Sequence, residues 1–331
     1  MGTGMQHRST TTATRSRPAA AAAWTACVLV ATALLGACSA QATTNAVPAT
    51  GRAPVSASTS ARSGDAGGGR DWAHVLQVVA DLKARPPTEP LLCLLGGSAA
   101  RESTIDDASW AAQVRRLGGP SVAAYNLGSR NRTLAQDVAL VRALPKAPGI
   151  VYIGIGVDRF TWPPSHPALD LPQPTQSLPP YKQHQYSQSE IRSDATKRAL
   201  LDAWLAKRYP AFKKNYASNL KTLEQLLVTC KERGLRPVLL ELPRNTAIAG
   251  QALDAAVARY TSGCRALAKK HAVLWVSFIA TARLPSADFY DLWHLVEPGR
   301  TVWQRLLSAK TVTLLDQYGL GSPVPTETPA S

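Results

Sequence analysis

From residue 71 onward the chain alternates between two hydrophobic periods. Pro90–Leu95, Ser121–Leu127, Gly149–Ile155, Arg236–Leu242 and Ala272–Ser277 are short, mostly apolar runs bounded by Pro, Gly or polar residues. A half-exposed strand would place a polar residue at every second position, so these runs predict strands buried on both faces. Between them lie longer segments with apolar residues three and four apart, at 71–84, 106–117, 133–144, 211–233, 251–271 and 297–318. That spacing gathers the apolar side chains on one face of a helix. Gly118, Pro145 and Gly234 stand where helices stop, and Pro298 stands in a first turn. Pro210 places the start of the long helix at Ala211. Strands alternating with helices of this length predict parallel βαβ units, hence a sheet covered on both faces.

One segment breaks the rhythm. Residues 161–189 hold prolines at 163, 164, 167, 172, 174, 179 and 180, interleaved with Trp162, Tyr181, His184 and Tyr186. The segment leaves the third strand on the side where open parallel sheets bind ligands. Residues 158–190 are therefore expected to form a Pro-rich loop over the site, an inert surface excursion being the alternative.

Ahead of this domain the chain reads as a targeting segment and a tether. Arg8, Arg15 and Arg17 form a basic start without acidic residues, followed by an apolar stretch from Ala19 to Ala37. It ends in Leu35-Gly36-Ala37-Cys38, which resembles a bacterial lipobox. That resemblance implies removal of residues 1–37 and lipidation of Cys38, which would hold the protein on the extracytoplasmic face of the cell membrane. An uncleaved anchor, or an ordinary signal peptide cut near Ala40, is the alternative. Residues 39–70, rich in Ala, Ser, Thr, Gly and Pro, are expected to be a flexible tether. The domain then spans 71–318, and 319–331 reads as a disordered tail.

Composition narrows the partners. The formal net charge is +15, and losing the three leader arginines leaves 34 basic against 22 acidic residues, a surplus of 12. Export argues against nucleic acid as the partner of that charge and for a polyanionic envelope polymer or lipid headgroups, or for no particular ligand. Cys27 leaves with the leader, Cys38 is the lipidation site, and Cys93 lies within an apolar strand. Cys230 and Cys264 end two helices that flank one strand, where an exported protein could pair them. The histidines are scattered, without metal-ligand spacing, and Gly154-x-Gly156 lacks the rest of a dinucleotide fingerprint. No metal or cofactor is expected.

Two segments carry chemistry. Gly96-Gly97-Ser98 closes the first strand, where two glycines permit a tight turn and expose a serine hydroxyl beside its own N–H. Asp291-Leu292-Trp293-His294 follows the fifth strand. An Asp and a His three positions apart fit within one turn, the carboxylate accepting from Nδ1–H and leaving Nε2 free for a serine proton.

Together, Gly96-Gly97-Ser98 and Asp291-x-x-His294-Leu295 resemble the SGNH, or GDSL-type, hydrolase superfamily, across roughly 88–315. The resemblance implies a flavodoxin-like three-layer α/β/α sandwich with a mostly parallel five-stranded sheet. It implies acyl-serine chemistry with Ser98 as nucleophile, His294 as general base and Asp291 as its orienter. The chain departs from the pattern at three positions. Gly97 replaces the usual Asp. Asn131 stands at the oxyanion-hole glycine of Asn126-Leu127-Gly128-Ser129-Arg130-Asn131-Arg132-Thr133. Val157, in Gly154-Ile155-Gly156-Val157-Asp158, stands where an asparagine donor is expected. The candidate oxyanion donors are Ser98, Asn131, Arg244 and Asn245, with Arg130 and Arg159 also near strand ends; Arg244 could instead pair with a carboxylate such as Glu102. The expected function is a membrane-anchored serine esterase on O-acyl esters of an envelope glycan or lipid. The alternatives are an O-acyltransferase using the same acyl-serine, or a catalytically impaired binding or scaffold lipoprotein on that fold.

Overall fold

The computed structural model describes residues 65–165, 169–175 and 185–321. The leader, Cys38, most of the tether, Pro167, Pro179, Pro180, Tyr181 and His184 of the Pro-rich segment, and residues 322–331 lie outside the described residues. Five strands, β1 (Leu91–Gly96), β2 (Ala123–Gly128), β3 (Gly149–Ile155), β4 (Leu235–Glu241) and β5 (Leu274–Ser277), form one sheet in the order β2-β1-β3-β4-β5. Every pairing is parallel. The helices are α1 (Asp65–Ala84), α2 (Ser98–Arg101), α3 (Asp107–Arg116), α4 (Leu134–Ala143), α5 (Asp194–Glu232), α6 (Thr246–Ala249), α7 (Asp254–Lys270), α8 (Ile279–Ala282) and α9 (Glu297–Gln317).

The continuous apolar character of the strands is explained by what each face meets. In β1, Leu91, Cys93 and Leu95 join the apolar layer built by α1, α4, α5 and α7, while Leu92 and Leu94 join the layer built by α3 and α9. β3 divides the same way, Val151, Ile153 and Ile155 to one side and Ile150 and Tyr152 to the other. The result is a three-layer α/β/α sandwich, as the resemblance implies. Parallel pairing puts every strand's carboxyl end at one edge, which therefore collects the segments after β1, β2, β3, β4 and β5.

Three boundaries differ from the sequence reading. Helix α1 begins at Asp65 and takes in Gly67-Gly68-Gly69, which were expected in the tether. Glycine weakens a helix by about 1 kcal/mol per residue, but Val75, Val79 and Leu82 anchor the helix on the core and let it propagate backwards. At the other end, Gly319 at φ 66° and Leu320, whose N–H donates to the Leu315 carbonyl, close α9. The first residues of the expected tail therefore belong to the domain. The largest difference is α5, which starts at Asp194, capped by Ser193, and runs through Pro210. Burial of Leu201 and Trp204 on one side of the proline and of Phe212 and Tyr216 on the other outweighs the helix penalty of about 3 kcal/mol.

Cys230 and Cys264 are free, buried thiols rather than a bridge. Cys230 lies within electrostatic reach of Asp137 and Cys264 within reach of Glu241, so the two face different neighbours.

Pro210 is exposed on α5, so its replacement tests the continuous helix without disturbing the core. Pro210→Ala restores a helical N–H and is expected to raise stability by about 1–3 kcal/mol in urea unfolding followed by circular dichroism. Unchanged or lowered stability would mean that the helix is interrupted there.

Candidate active site

Ser98 is the first residue of α2, two residues beyond the end of β1. Its position is fixed from behind by charge. Arg101 is fully buried and pairs with Asp71 and, at 2.7 Å, with Glu102, which also meets Arg300 of α9 at 3.2 Å. Gly128, ending β2, allows the backbone of α2 to approach closely, since a Cβ there would overlap the Arg101 amide.

The segment after β5 forms a tight loop. Phe289 and Leu295 bridge across it, and the Tyr290 N–H donates to the His294 carbonyl at 2.8 Å. Phe289 and Leu295 plug into one apolar layer and Leu292 into the other, so the loop is held over the sheet edge from both sides. Inside it, Asp291 Oδ1 accepts from the N–H groups of Trp293 (2.9 Å) and His294 (3.1 Å). The His294 ring Nδ1 lies 2.9 Å from Oδ1 and 2.8 Å from Oδ2 of the same carboxylate. An ionised carboxylate only accepts, so Nδ1 carries the proton and Nε2 is left as the acceptor. Nε2 lies 2.8 Å from Ser98 Oγ. Residues 196 positions apart are thus joined in one hydrogen-bonded chain. Burial works to raise the Asp291 carboxyl, but the His294 ring and the two N–H donors outweigh it, and Asp291 is held below the usual carboxylate range. The stability from this depression is present above the ordinary value of 3.8 and is lost as the pH falls through the lower folded value.

The candidate oxyanion donors fall into two groups. Ser98 and Asn131 both line the cavity beside His294. Their N–H groups make no hydrogen bond among the described residues. Asn131 is left-handed at φ 58°, a conformation that Asn tolerates where the family has glycine. Arg244 and Asn245 are committed elsewhere. Arg244 pairs with Glu241, rather than Glu102, and lies 3.3 Å from the Tyr260 hydroxyl. Asn245 caps α6, and its side chain meets the Asp291 carbonyl at 3.3 Å while its N–H donates to the Leu292 carbonyl at 2.9 Å. It braces the histidine loop instead of facing substrate. Val157 is 2% exposed, packs in the apolar layer and supplies no side-chain donor.

The loops after β2 and β3 are joined by one carboxylate. Asp137, fully buried on α4, accepts from Arg132 Nε at 2.7 Å and pairs with Arg159. Arg159 also donates to the Arg132 carbonyl, and Arg132 to the Leu127 carbonyl. Burial lowers Arg132 to about 10 against the opposing pull of Asp137. Thr133 and Gln136 form a capping box at the start of α4, completing the hold on the Asn131 turn.

The cavity at this edge encloses about 370 Å³. It is lined by Ser98, Asn131 and His294, and also by Asp158, Trp162 and the part of α5 ahead of Pro210, with Trp204, Lys207 and Arg208. Asp158 and Trp162 belong to the segment expected over the site, but the sequence reading missed the lining residues of α5 because it started the helix at Ala211. The Ser193 cap and the apolar spacing of Leu201, Trp204 and Leu205 are the signals that could have found it. Asp158 accepts from Trp204 Nε1 at 2.6 Å. Burial pushes its carboxyl above the usual range, with the Trp204 bond and the charges of Arg208 and His294 opposing. Described residues of the Pro-rich segment meet both α1 and the histidine loop. Thr175 donates to Asp81 of α1 through its hydroxyl at 2.7 Å, and Tyr186 stacks on Tyr290 with ring centres 3.8 Å apart, 5.4 Å from the His294 ring.

No protein-family model and no curated protein matches the chain. Among solved structures it is similar to a proposed acylhydrolase from Bacteroides fragilis, at 14% identity over 75% of this chain and 98% of that one, with a TM-score of 0.39. It is also similar to a Streptococcus pneumoniae protein described as a proposed platelet activating factor, at 12% identity over 76% and 94%, TM-score 0.42. A third similarity is to the protein YxiM of Bacillus subtilis, at 12% identity over 72% and 59%, TM-score 0.39. The roles of individual residues therefore rest on the geometry of this chain.

Asp137→Asn leaves two buried guanidinium groups without a counter-charge. It is expected to cost about 3–5 kcal/mol in chemical unfolding. A loss under about 1 kcal/mol would show that the two loops are held by something else.

Proposed function

We propose that the protein is an SGNH-type serine esterase, anchored through Cys38 on the extracytoplasmic face of the membrane, that cleaves O-acyl esters of an envelope glycan or lipid. The observation that carries the chemistry is the unbroken chain Ser98 Oγ, His294 Nε2, His294 Nδ1, Asp291. The anchor is supported by the Leu35-Gly36-Ala37-Cys38 pattern.

In this mechanism Ser98 Oγ bonds to the acyl carbonyl carbon while its proton passes to His294 Nε2. Asp291 stabilises the imidazolium and keeps its ring in place. The carbonyl oxygen takes up negative charge and is met by the N–H groups of Ser98 and Asn131. The ester C–O bond then breaks, and the departing alcohol takes the proton from Nε2. A water molecule attacks the acyl-serine by the same route, releasing the acid and restoring Ser98. With Val157 in place of a side-chain donor, charge development is met by backbone alone. One donor of this kind contributes on the order of 10²–10³ in rate, so turnover of simple esters is expected to be slow.

Labelling with a fluorophosphonate separates this reading from a non-catalytic binding module on the same fold. The folded wild-type protein is expected to label, and Ser98→Ala and His294→Ala to lose the label. Asp291→Asn is expected to slow turnover by about 10⁴-fold, because the imidazole loses its orienting charge. Wild-type protein that stays unlabelled, or Ser98→Ala protein that labels equally, would overturn the proposal.

A further inference from the structure

The wall of the cavity is not made of the reacting groups alone. Trp162, which also lines it, is 38% exposed, although its backbone is held fast. Asn219 donates to the Trp162 carbonyl and Asn215 to the Thr161 carbonyl, both at 2.7 Å. The Arg208 guanidinium lies over this indole, 4.2 Å from the ring centre. A stacked guanidinium keeps its edge N–H groups available to an anion. Lys207, the next residue, is exposed and also lines the cavity.

The charge of this wall is uncompensated. Arg132 and Arg159 also line the cavity, but both are paired with Asp137. Lys207 and Arg208 form no ion pair among the described residues. Asp158 also lines the cavity, and Arg208 influences it electrostatically without reaching ion-pair distance. The cavity lining thus offers an indole on a fixed backbone with a guanidinium stacked on it, and a second cation in the next residue. It suits a ligand with a flat apolar face and a negative charge. At about 370 Å³ the cavity lies near the small end of ligand sites. It has room for a sugar unit and a short acyl group rather than lipid chains.

Resting on the esterase reading above, we propose that this wall selects an acidic glycan. A sugar ring of the substrate seats against Trp162, and its carboxylate or phosphate is held by Arg208 and Lys207 while the neighbouring O-acyl group is presented to Ser98. The two residues set specificity for charge on the alcohol side of the ester.

Binding to full-length Ser98→Ala protein tests this without relying on turnover. The probes are an O-acetylated oligouronate, an O-acetylated neutral oligosaccharide of equal length, and vesicles of anionic phospholipid, read by calorimetry or sedimentation. The acidic oligosaccharide is expected to bind at least about tenfold more tightly than the neutral one, and less tightly as salt rises. Adding Lys207→Ala and Arg208→Ala is expected to remove that preference, and Trp162→Ala to weaken both oligosaccharides, in protein with unchanged circular dichroism. Equal binding of the two oligosaccharides, or a preference that survives the double substitution, overturns the proposal. Binding to vesicles alone overturns it in favour of a lipid surface. Absence of Ser98 labelling in wild-type protein alongside a retained acidic preference contradicts the esterase reading but leaves the charge selection standing.

Discussion

A buried carboxylate that stays ionised needs positive charge or hydrogen-bond donors around it, and at Asp137 two arginines from different loops supply both. Arg132 follows β2 and Arg159 follows β3, so one acid on α4 sets the distance between the Asn131 turn and the Val157 turn. Such a group gives little net stability against an apolar replacement, because desolvation consumes most of the attraction. Its effect is on position. Removing one partner strands the others, so the two loops have few alternative arrangements of comparable energy. The cavity lining inherits that restriction, and with it the placing of Asn131, whose N–H has no partner among the described residues.

The same device recurs on the other side of the nucleophile. Glu102, directly after α2, meets Arg101 and Arg300, and the Tyr186 N–H reaches it at 3.2 Å. Helix α2, the start of α9 and the return of the Pro-rich segment are thereby joined at one buried acid. The histidine loop is held differently, by apolar side chains entering both layers and by Asn245 and Arg192 bonding to its backbone. A hydrogen-bonded Ser98, His294 and Asp291 is thus the outcome of three separate anchorages meeting at the sheet edge.

Much of this was legible in the sequence. Continuous apolar runs gave the strands within one or two residues, although only β1 and β3 are buried throughout and the edge strand β5 leaves Leu274 and Ser277 exposed. Asp291 and His294 were legible because their partnership is local, within a single turn. Ser98 was legible only through its place at a strand end, as parallel pairing sends all such ends to one edge. What stayed hidden depends on contacts between distant residues. The commitment of Asn245 to the histidine loop and the joining of Arg159 to Asp137 have no local signature. The pairs Arg244–Glu241 and Arg132–Asp137 are close in sequence, but spacing alone does not single them out among the other nearby charges. Pro210 misled the reading in a different way, because a local rule was overridden by burial on both sides of it, and the lining residues Trp204, Lys207 and Arg208 went with the missing half of α5.

The account rests on Ser98 forming a covalent bond to an acyl group, and that bond can be weighed directly. Protein mixed with an activated aryl acetate, quenched in acid and digested, is expected to carry an acetyl group on the peptide containing Ser98. The His294→Ala variant is expected to carry none. An unmodified Ser98 peptide in folded wild-type protein, or an acetyl group that persists without His294, would contradict it.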